Sequence, residues 1–225
     1  METAEGRLEL RRRGAQEGIP DFVITVAGRV LMSSMAHLTE VAVAEIACGE
    51  VAGRERPRVL IGGLGMGFTL RAALDSLPRS GRVVVAEINE AVVRWCRGPL
   101  ASLTNRAAQD PRSKIVLQDV AEVIARAGDQ PFDAIILDLY EGPRQSTQGR
   151  EDPFYGPAAL KRTREALTPG GVLAVWSEDP DAAFEKRLVQ GGFKVERRKP
   201  GKGGPRHTIY LARPRALLAR PRKLR

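Results

Sequence analysis

Three acidic residues each stand at the end of an apolar run: Glu87 after Val83-Val84-Val85-Ala86, Asp119 just beyond Ile115-Val116-Leu117, and Asp138 after Ile135-Ile136-Leu137. A fourth run, Val59-Leu60-Ile61, ends instead in Gly62-Gly63-Leu64-Gly65-Met66-Gly67. Glycines carry no Cβ and tolerate positive φ, so a turn of this kind brings backbone N–H groups and a helix N-terminus close to a ligand. An acid at the end of the next strand, about 20 residues on, can accept hydrogen bonds from both hydroxyls of a ribose. The pattern predicts a nucleoside site. Asp119 can take a hydrogen bond from an adenine amino group, or it can serve as an ordinary helix N-cap. Asp138 falls at the carboxyl edge of a parallel sheet, where open α/β folds put their ligands.

These residues need a βαβ frame to hold them. Val59 to Gly62 reads as a strand, Phe68 to Leu74 as a helix and Val83 to Glu87 as a second strand. Asn89 can cap a helix running through Val92, Val93 and Cys96 to Gly98-Pro99, followed by a strand Lys114–Leu117 and a helix Val120–Ala127. Phe132 to Leu137 is almost continuously apolar, as a strand buried on both faces should be. Residues 139–155 form a long polar loop, placed to act as a substrate lid. A helix Ala158–Leu167 stops at Pro169-Gly170-Gly171, and a strand Val172–Trp176 and a helix Asp181–Val189 follow. Phe193–Glu196 and Thr208–Leu211 lie too close in sequence for a helical crossover and are expected to pair antiparallel.

Ahead of this frame, Phe22–Val26 and Val30–Met32 alternate like a β-hairpin around Ala27-Gly28-Arg29. Residues 1–18 are expected to be either mobile or an edge strand through Leu8 and Leu10. His37 to Val51 has near-helical apolar spacing; His37 itself reads as a cap or surface residue, with a ligand-facing position as the alternative. The expected division is 1–52 for the hairpin and helix, 53–212 for the nucleoside-binding unit and 213–225 for a basic tail.

Charge is unevenly spread along the 225 residues. From Lys194 to Arg225 there are twelve Lys/Arg against the single acid Glu196, a net +11, so the preceding 193 residues carry −2 of the total +9. The tail is expected to be solvated; contact with nucleic acid is the weaker reading, because no aromatics are interleaved to stack on bases. No run approaches the roughly 20 apolar residues of a membrane span, and the charged start Met1-Glu2-Thr3-Ala4-Glu5 is no signal peptide, so a cytoplasmic, non-membrane protein is expected. Two cysteines, Cys48 and Cys96, and two histidines, His37 and His207, suggest neither a disulfide framework nor a metal site.

A dinucleotide fingerprint counted from Gly63 would need glycine where Phe68 stands, which disfavours NAD. Gly63-x-Gly65-x-Gly67 instead resembles the first loop of class I S-adenosylmethionine-dependent transferases. The order of elements resembles the same α/β, Rossmann-like class I methyltransferase fold: a mostly parallel seven-stranded sheet with an antiparallel last strand, preceded by a small β-hairpin. Within that fold the chain resembles the spermidine synthase family of aminopropyltransferases, through Ile61-Gly62-Gly63, Thr69-Leu70-Arg71, Val85-Ala86-Glu87-Ile88-Asn89, Asp138-Leu139-Tyr140-Glu141-Gly142-Pro143, Phe154-Tyr155 and Leu167-Thr168-Pro169-Gly170-Gly171.

The resemblance implies S-adenosylmethionine or its decarboxylated form as cofactor, and no metal. It places Gly63, Gly65 and Gly67 at the sulfonium end, Glu87 at the ribose and Asp119 at the adenine, with Gly62, Ile88, Val120 and Asp138 also among the cofactor-binding residues. Asp138 and Glu141, with Tyr140 between them, would receive an amine or polyamine. A homodimer is also implied. Two departures stand out. Aligning on Thr69-Leu70-Arg71 puts Met66 where the family has an aspartate for the free amine of the decarboxylated cofactor. The family's Tyr-His-Glu run is replaced by His37-Leu38-Thr39-Glu40. Three expectations follow: aminopropyl transfer to an amine; methyl transfer to a small molecule, RNA or protein; or a non-catalytic nucleoside-binding homologue.

Overall fold

The computed structural model describes residues 2–3, 6–16, 19–140, 142–143, 151–200 and 207–215. The chain begins with a four-stranded antiparallel sheet, β1 (Glu2–Thr3), β2 (Gly6–Gln16), β3 (Ile19–Val26) and β4 (Arg29–Ser33), in that spatial order. The expected hairpin is β3–β4, and β2 pairs along the outside of β3, so the edge-strand alternative for the first residues holds over Gly6–Gln16. Helix α1 (Leu38–Gly49) leads into the larger unit.

That unit alternates regularly: β5 (Arg58–Gly62), α2 (Phe68–Ser76), β6 (Arg82–Glu87), α3 (Glu90–Arg97), β7 (Ser113–Leu117), α4 (Val120–Ala125), β8 (Phe132–Leu137), α5 (Pro157–Glu165), β9 (Leu167–Ser177), α6 (Ala182–Gln190), β10 (Phe193–Arg198) and β11 (Thr208–Pro214). Its seven strands lie in the order β10-β11-β9-β8-β5-β6-β7. Strands β5 to β9 pair in parallel, and β11 runs antiparallel to both of its neighbours. This is the expected class I topology, with the order reversing at β5, so a crevice opens between the carboxyl ends of β5 and β8.

All six residues of β8 are buried, and their alternation feeds two cores. Ala134 and Ile136 pack with α1, α2 and the inner residues Leu8, Phe22, Ile24 and Val26 of the first sheet. Ile135 and Leu137 pack on the opposite side with residues of α4, α5 and α6. The N-terminal sheet is thereby fixed against the carboxyl half of the crevice.

One boundary is corrected. The expected helix stop at Pro169-Gly170-Gly171 lies inside β9, which begins at Leu167, and α5 ends at Glu165. The reason is a side-chain clamp. Phe132 pairs with Leu167 and Ala134 with Val172, and the four residues between bulge outwards. There the Asp133 carboxylate accepts from Arg54 (2.6 Å) and the Thr168 hydroxyl (2.9 Å), while Arg54 also donates to the Pro169 carbonyl (2.9 Å). The bulge closes the backbone account that a helix would otherwise have closed.

Candidate active site

The glycine turn leaves β5 with Gly63 donating to the Ala86 carbonyl (2.9 Å) and Gly67 to the Leu64 carbonyl (2.8 Å). Gly63 has φ 88°, and a Cβ there would sit 2.6 Å from the Asp138 carbonyl oxygen. Only glycine allows that approach between the turn and the end of β8. The Glu87 side chain, 7% exposed, accepts from Leu64 N–H (2.9 Å) on one oxygen and from Asn89 N–H (2.7 Å) on the other. Each carboxylate oxygen has a second lone pair, so this brace between the glycine turn and the start of α3 keeps acceptor capacity for hydroxyls.

Asp119 is the N-cap of α4, its carboxylate accepting from Ala121 N–H (2.7 Å). The N-cap role is thus realised on one oxygen. Val120 is buried, close enough to Gly62 that a Cβ at Gly62 would meet it at 3.0 Å. Ile88 (70% exposed) and Leu117 (54%) are large apolar side chains left open at the ends of β6 and β7, beside Glu87 and Asp119. They offer the apolar surface a planar base would cover.

On the other side of the glycine turn lies a cavity of about 380 Å³. Its walls come from β4 (Met32), α1 (Glu40), the turn (Gly65, Met66), the end of β8 (Asp138, Tyr140), the end of β9 (Trp176, Glu178) and the start of β11 (His207). Among the sequence-selected residues, Gly65, Asp138 and Tyr140 meet in this cavity, whereas Gly62, Gly63, Gly67, Glu87, Ile88, Asp119 and Val120 lie along the ends of β5 to β7 outside its lining. Glu141 lies outside the described residues, as do 144–150 of the long loop and 216–225 of the tail. Gly142 (φ 63°) rests on the backbone of Trp176 and Ser177, leaving no room for a Cβ, and so seats the run after Asp138 against β9.

Asp138 accepts from the Thr69 hydroxyl on α2. Burial pushes its carboxyl up to about 7; the Thr69 hydrogen bond opposes this, and the nearby Glu40 carboxylate adds to it. Asp138 is therefore half-ionised near neutrality, poised to accept a proton. Four wall residues, Thr69, Glu40, Glu178 and His207, escaped the sequence reading. Glu40 carried a signal, as the acid of the segment that stands in for Tyr-His-Glu; Glu178 and His207 carried none that spacing reveals. Met66 is buried and lines the cavity, so the position noted for its lost acid does face the site.

Cys48 and Cys96 are buried and their thiols pushed up to about 12, which makes them packing residues rather than nucleophiles. His37 stacks face-on over Phe68 (centroids 4.0 Å apart) and donates from Nδ1 to the Ser34 carbonyl (2.7 Å). It sits at the cap position of α1 without a side-chain cap bond, outside the cavity lining. Among the described residues no group of three His, Cys, Asp or Glu could hold a metal, and no helix is long and apolar enough to cross a membrane.

No family model matches the chain. A polyamine aminopropyltransferase from Prochlorococcus marinus (strain MIT 9312) is 29% identical over 128 residues, covering 57% of this chain and 43% of that protein. One from Nitrosomonas europaea is 35% identical over 130 residues, 57% of this chain and 37% of that protein. Over somewhat more than half of its length the chain is thus similar to polyamine aminopropyltransferases. It matches less than half the length of these curated aminopropyltransferases. Among solved structures, the spermidine synthase from Thermotoga maritima superposes with a TM-score of 0.66 at 22% identity, over 85% of this chain and 65% of that one. A spermidine synthase in complex with the transition-state analogue AdoDATO gives the same TM-score and identity, over 66% of its chain. Human methyltransferase-like protein 13 in complex with SAH matches at 0.58 and 19% identity, over 84% of this chain and 85% of that one. Both aminopropyltransferases and a methyltransferase thus share the fold.

Proposed function

We propose that this chain is a sulfonium-dependent transferase that moves an aminopropyl group from decarboxylated S-adenosylmethionine to an amine or polyamine. The observation that carries the reading is the cavity between the glycine turn and the N-terminal sheet. Among the described residues its charged groups, Glu40, Asp138 and Glu178, are all acidic, and burial pushes the carboxyl of one of them, Asp138, up to about 7. An amine substrate arrives as ammonium and must lose a proton before its nitrogen can attack. Acidic walls concentrate the cation, and a carboxyl poised near neutrality takes its proton, an effect of order 10²–10⁴-fold for general bases.

The residues present fit an adenosyl group. Glu87 keeps lone pairs for ribose hydroxyls, and Ile88 and Leu117 expose apolar side chains at the ends of β6 and β7. When bound, the sulfonium supplies an electrophilic carbon with a neutral thioether leaving group. The chain's part is to hold the adenosyl end at β5–β7, to deprotonate the amine from Asp138 and to keep the two ends apart across the glycine turn. Asp138, with Tyr140 in the same wall, is the assigned catalytic group.

Methyl transfer is the second reading, and Met66 favours it. A buried thioether stands where a free amine on the cofactor would need an acid, which leaves the carboxylated cofactor acceptable. Calorimetric titration with S-adenosylmethionine and with its decarboxylated form separates the readings. Tighter binding of the decarboxylated form by tenfold, about 1.4 kcal/mol, is the expected result. Preference for the carboxylated form makes the chain a methyltransferase, and binding of neither makes it non-catalytic.

A further inference from the structure

We infer that His207 is a proton acceptor for the amine substrate, its Nε2 kept proton-free by a hydrogen-bond hub at Thr39. The inference rests on the proposed amine-directed site. Thr39 Oγ1 has three partners: Trp176 Nε1 at 3.1 Å, His207 Nδ1 at 3.0 Å and Glu40 Oε2 at 2.8 Å. An indole nitrogen can only donate, an ionised carboxylate can only accept, and a hydroxyl owns one proton and two lone pairs. The Thr39 proton therefore goes to Glu40. Both of its lone pairs must then accept, one from Trp176 and one from His207 Nδ1–H. In the neutral ring this leaves the lone pair on Nε2, which has no partner among the described residues.

The ring lines the cavity, edge-on to Trp176 with centroids 4.9 Å apart, so it is held from two sides. The titratable groups sharing its surroundings are Glu40 on α1, Asp138 and Tyr140 after β8 and Glu178 after β9; among the described residues no lysine or arginine lines the cavity. The step is a proton transfer alone: an N–H proton of the substrate ammonium moves to Nε2, the N–H bonding pair stays on nitrogen as the lone pair, and the imidazolium returns the proton to water. His37 is an internal control. Its Nδ1 faces a carbonyl, so it too must carry hydrogen at Nδ1, but it lies outside the cavity lining.

Two-bond ¹H–¹⁵N correlation spectra of the full chain test the tautomer without any assay. The chain has only two histidines, and His37→Gln assigns them. The expected result is an Nδ1–H tautomer at both. In Thr39→Val the hub is lost, and His207 should revert to the Nε2–H form that a free histidine side chain prefers, while His37 stays unchanged. An Nε2–H tautomer at His207 in the unaltered chain overturns the inference. Addition of 1,4-diaminobutane should move the His207 Nε2 resonance and leave that of His37 in place; an unmoved resonance also overturns it.

In turnover, His207→Asn keeps an N–H near the Nδ1 position and removes Nε2. It should lower kcat by 100-fold or more with the amine KM within threefold. An unchanged kcat overturns the inference. If the unaltered chain turns over no amine, the proposed function fails, and the tautomer and diamine titration still decide the role of His207.

Discussion

The two sides of the glycine turn are built in opposite ways. On the nucleoside side, β5, the turn, β6 and Glu87 all come from one βαβ unit, and the Glu87 carboxylate is satisfied by backbone N–H groups from the same stretch. On the amine side, Glu40, Asp138, Glu178 and His207 arrive from four separate parts of the chain and meet only because the strand order brings them together. The first is a backbone geometry that one segment can carry alone. The second is a product of topology, assembled around a half-ionised acid and a hydroxyl hub.

If that contrast is right, the two sides should fail differently. The largest expected effect is at Asp138. Asp138→Asn should reduce turnover by roughly 10²–10⁴-fold while calorimetric affinity for the cofactor stays within a few-fold; equal loss of both would dissolve the distinction. Gly63→Ala should damage the nucleoside side and the fold together. Its left-handed φ and the nearby Asp138 carbonyl make it strained, at a cost of about 1–3 kcal/mol visible in denaturant unfolding and accompanied by weaker cofactor binding.

A smaller effect is expected at Glu87→Gln, which keeps shape but loses charge and presents an amide donor to one of the two N–H groups. Cofactor affinity should drop by about tenfold, with the cost of one poorly satisfied buried pair, about 1–3 kcal/mol, in unfolding. Unaltered affinity would restrict Glu87 to bracing the turn. The gentlest test is a pH scan. The folded chain holds the Asp138 proton over the window from the ordinary 3.8 to about 7, where the unfolded chain has released it, so this group's contribution to stability falls as pH rises through that window. Asp138→Asn should therefore gain melting temperature relative to the unaltered protein between pH 4 and pH 8. A constant difference would place Asp138 in a more watery setting than its burial indicates.

The same contrast explains what could be read from the chain. Gly63, Gly65, Gly67 and Glu87 announce themselves because glycine spacing and the length of one helical crossover dictate where an acid falls. Asp138 is legible for the same reason, at the end of a strand apolar on both faces. Glu178 and His207 are not, and Glu40 only as the acid of the segment that stands in for Tyr-His-Glu, because their meeting depends on how a separate N-terminal sheet and the last strand are set against the crevice. Pro169-Gly170-Gly171 read as a helix stop, since local propensity gives no hint that Arg54, far earlier in the chain, will hold it as a bulge. The first sheet was larger than the hairpin expected because polar, arginine-rich β2 buries only alternate residues such as Leu8.

The position of β11 bears on the order in which the site comes into being. It is the last described strand in the chain, yet it lies inside the sheet, between β9 and β10. A domain folds as a unit, so β9 and β10 reach their places in the sheet only once Thr208–Pro214 is present to pair with both. Only then does His207 reach Thr39, 168 residues earlier in the chain. The cavity beside Asp138 is therefore complete only when the last described strand has joined the sheet.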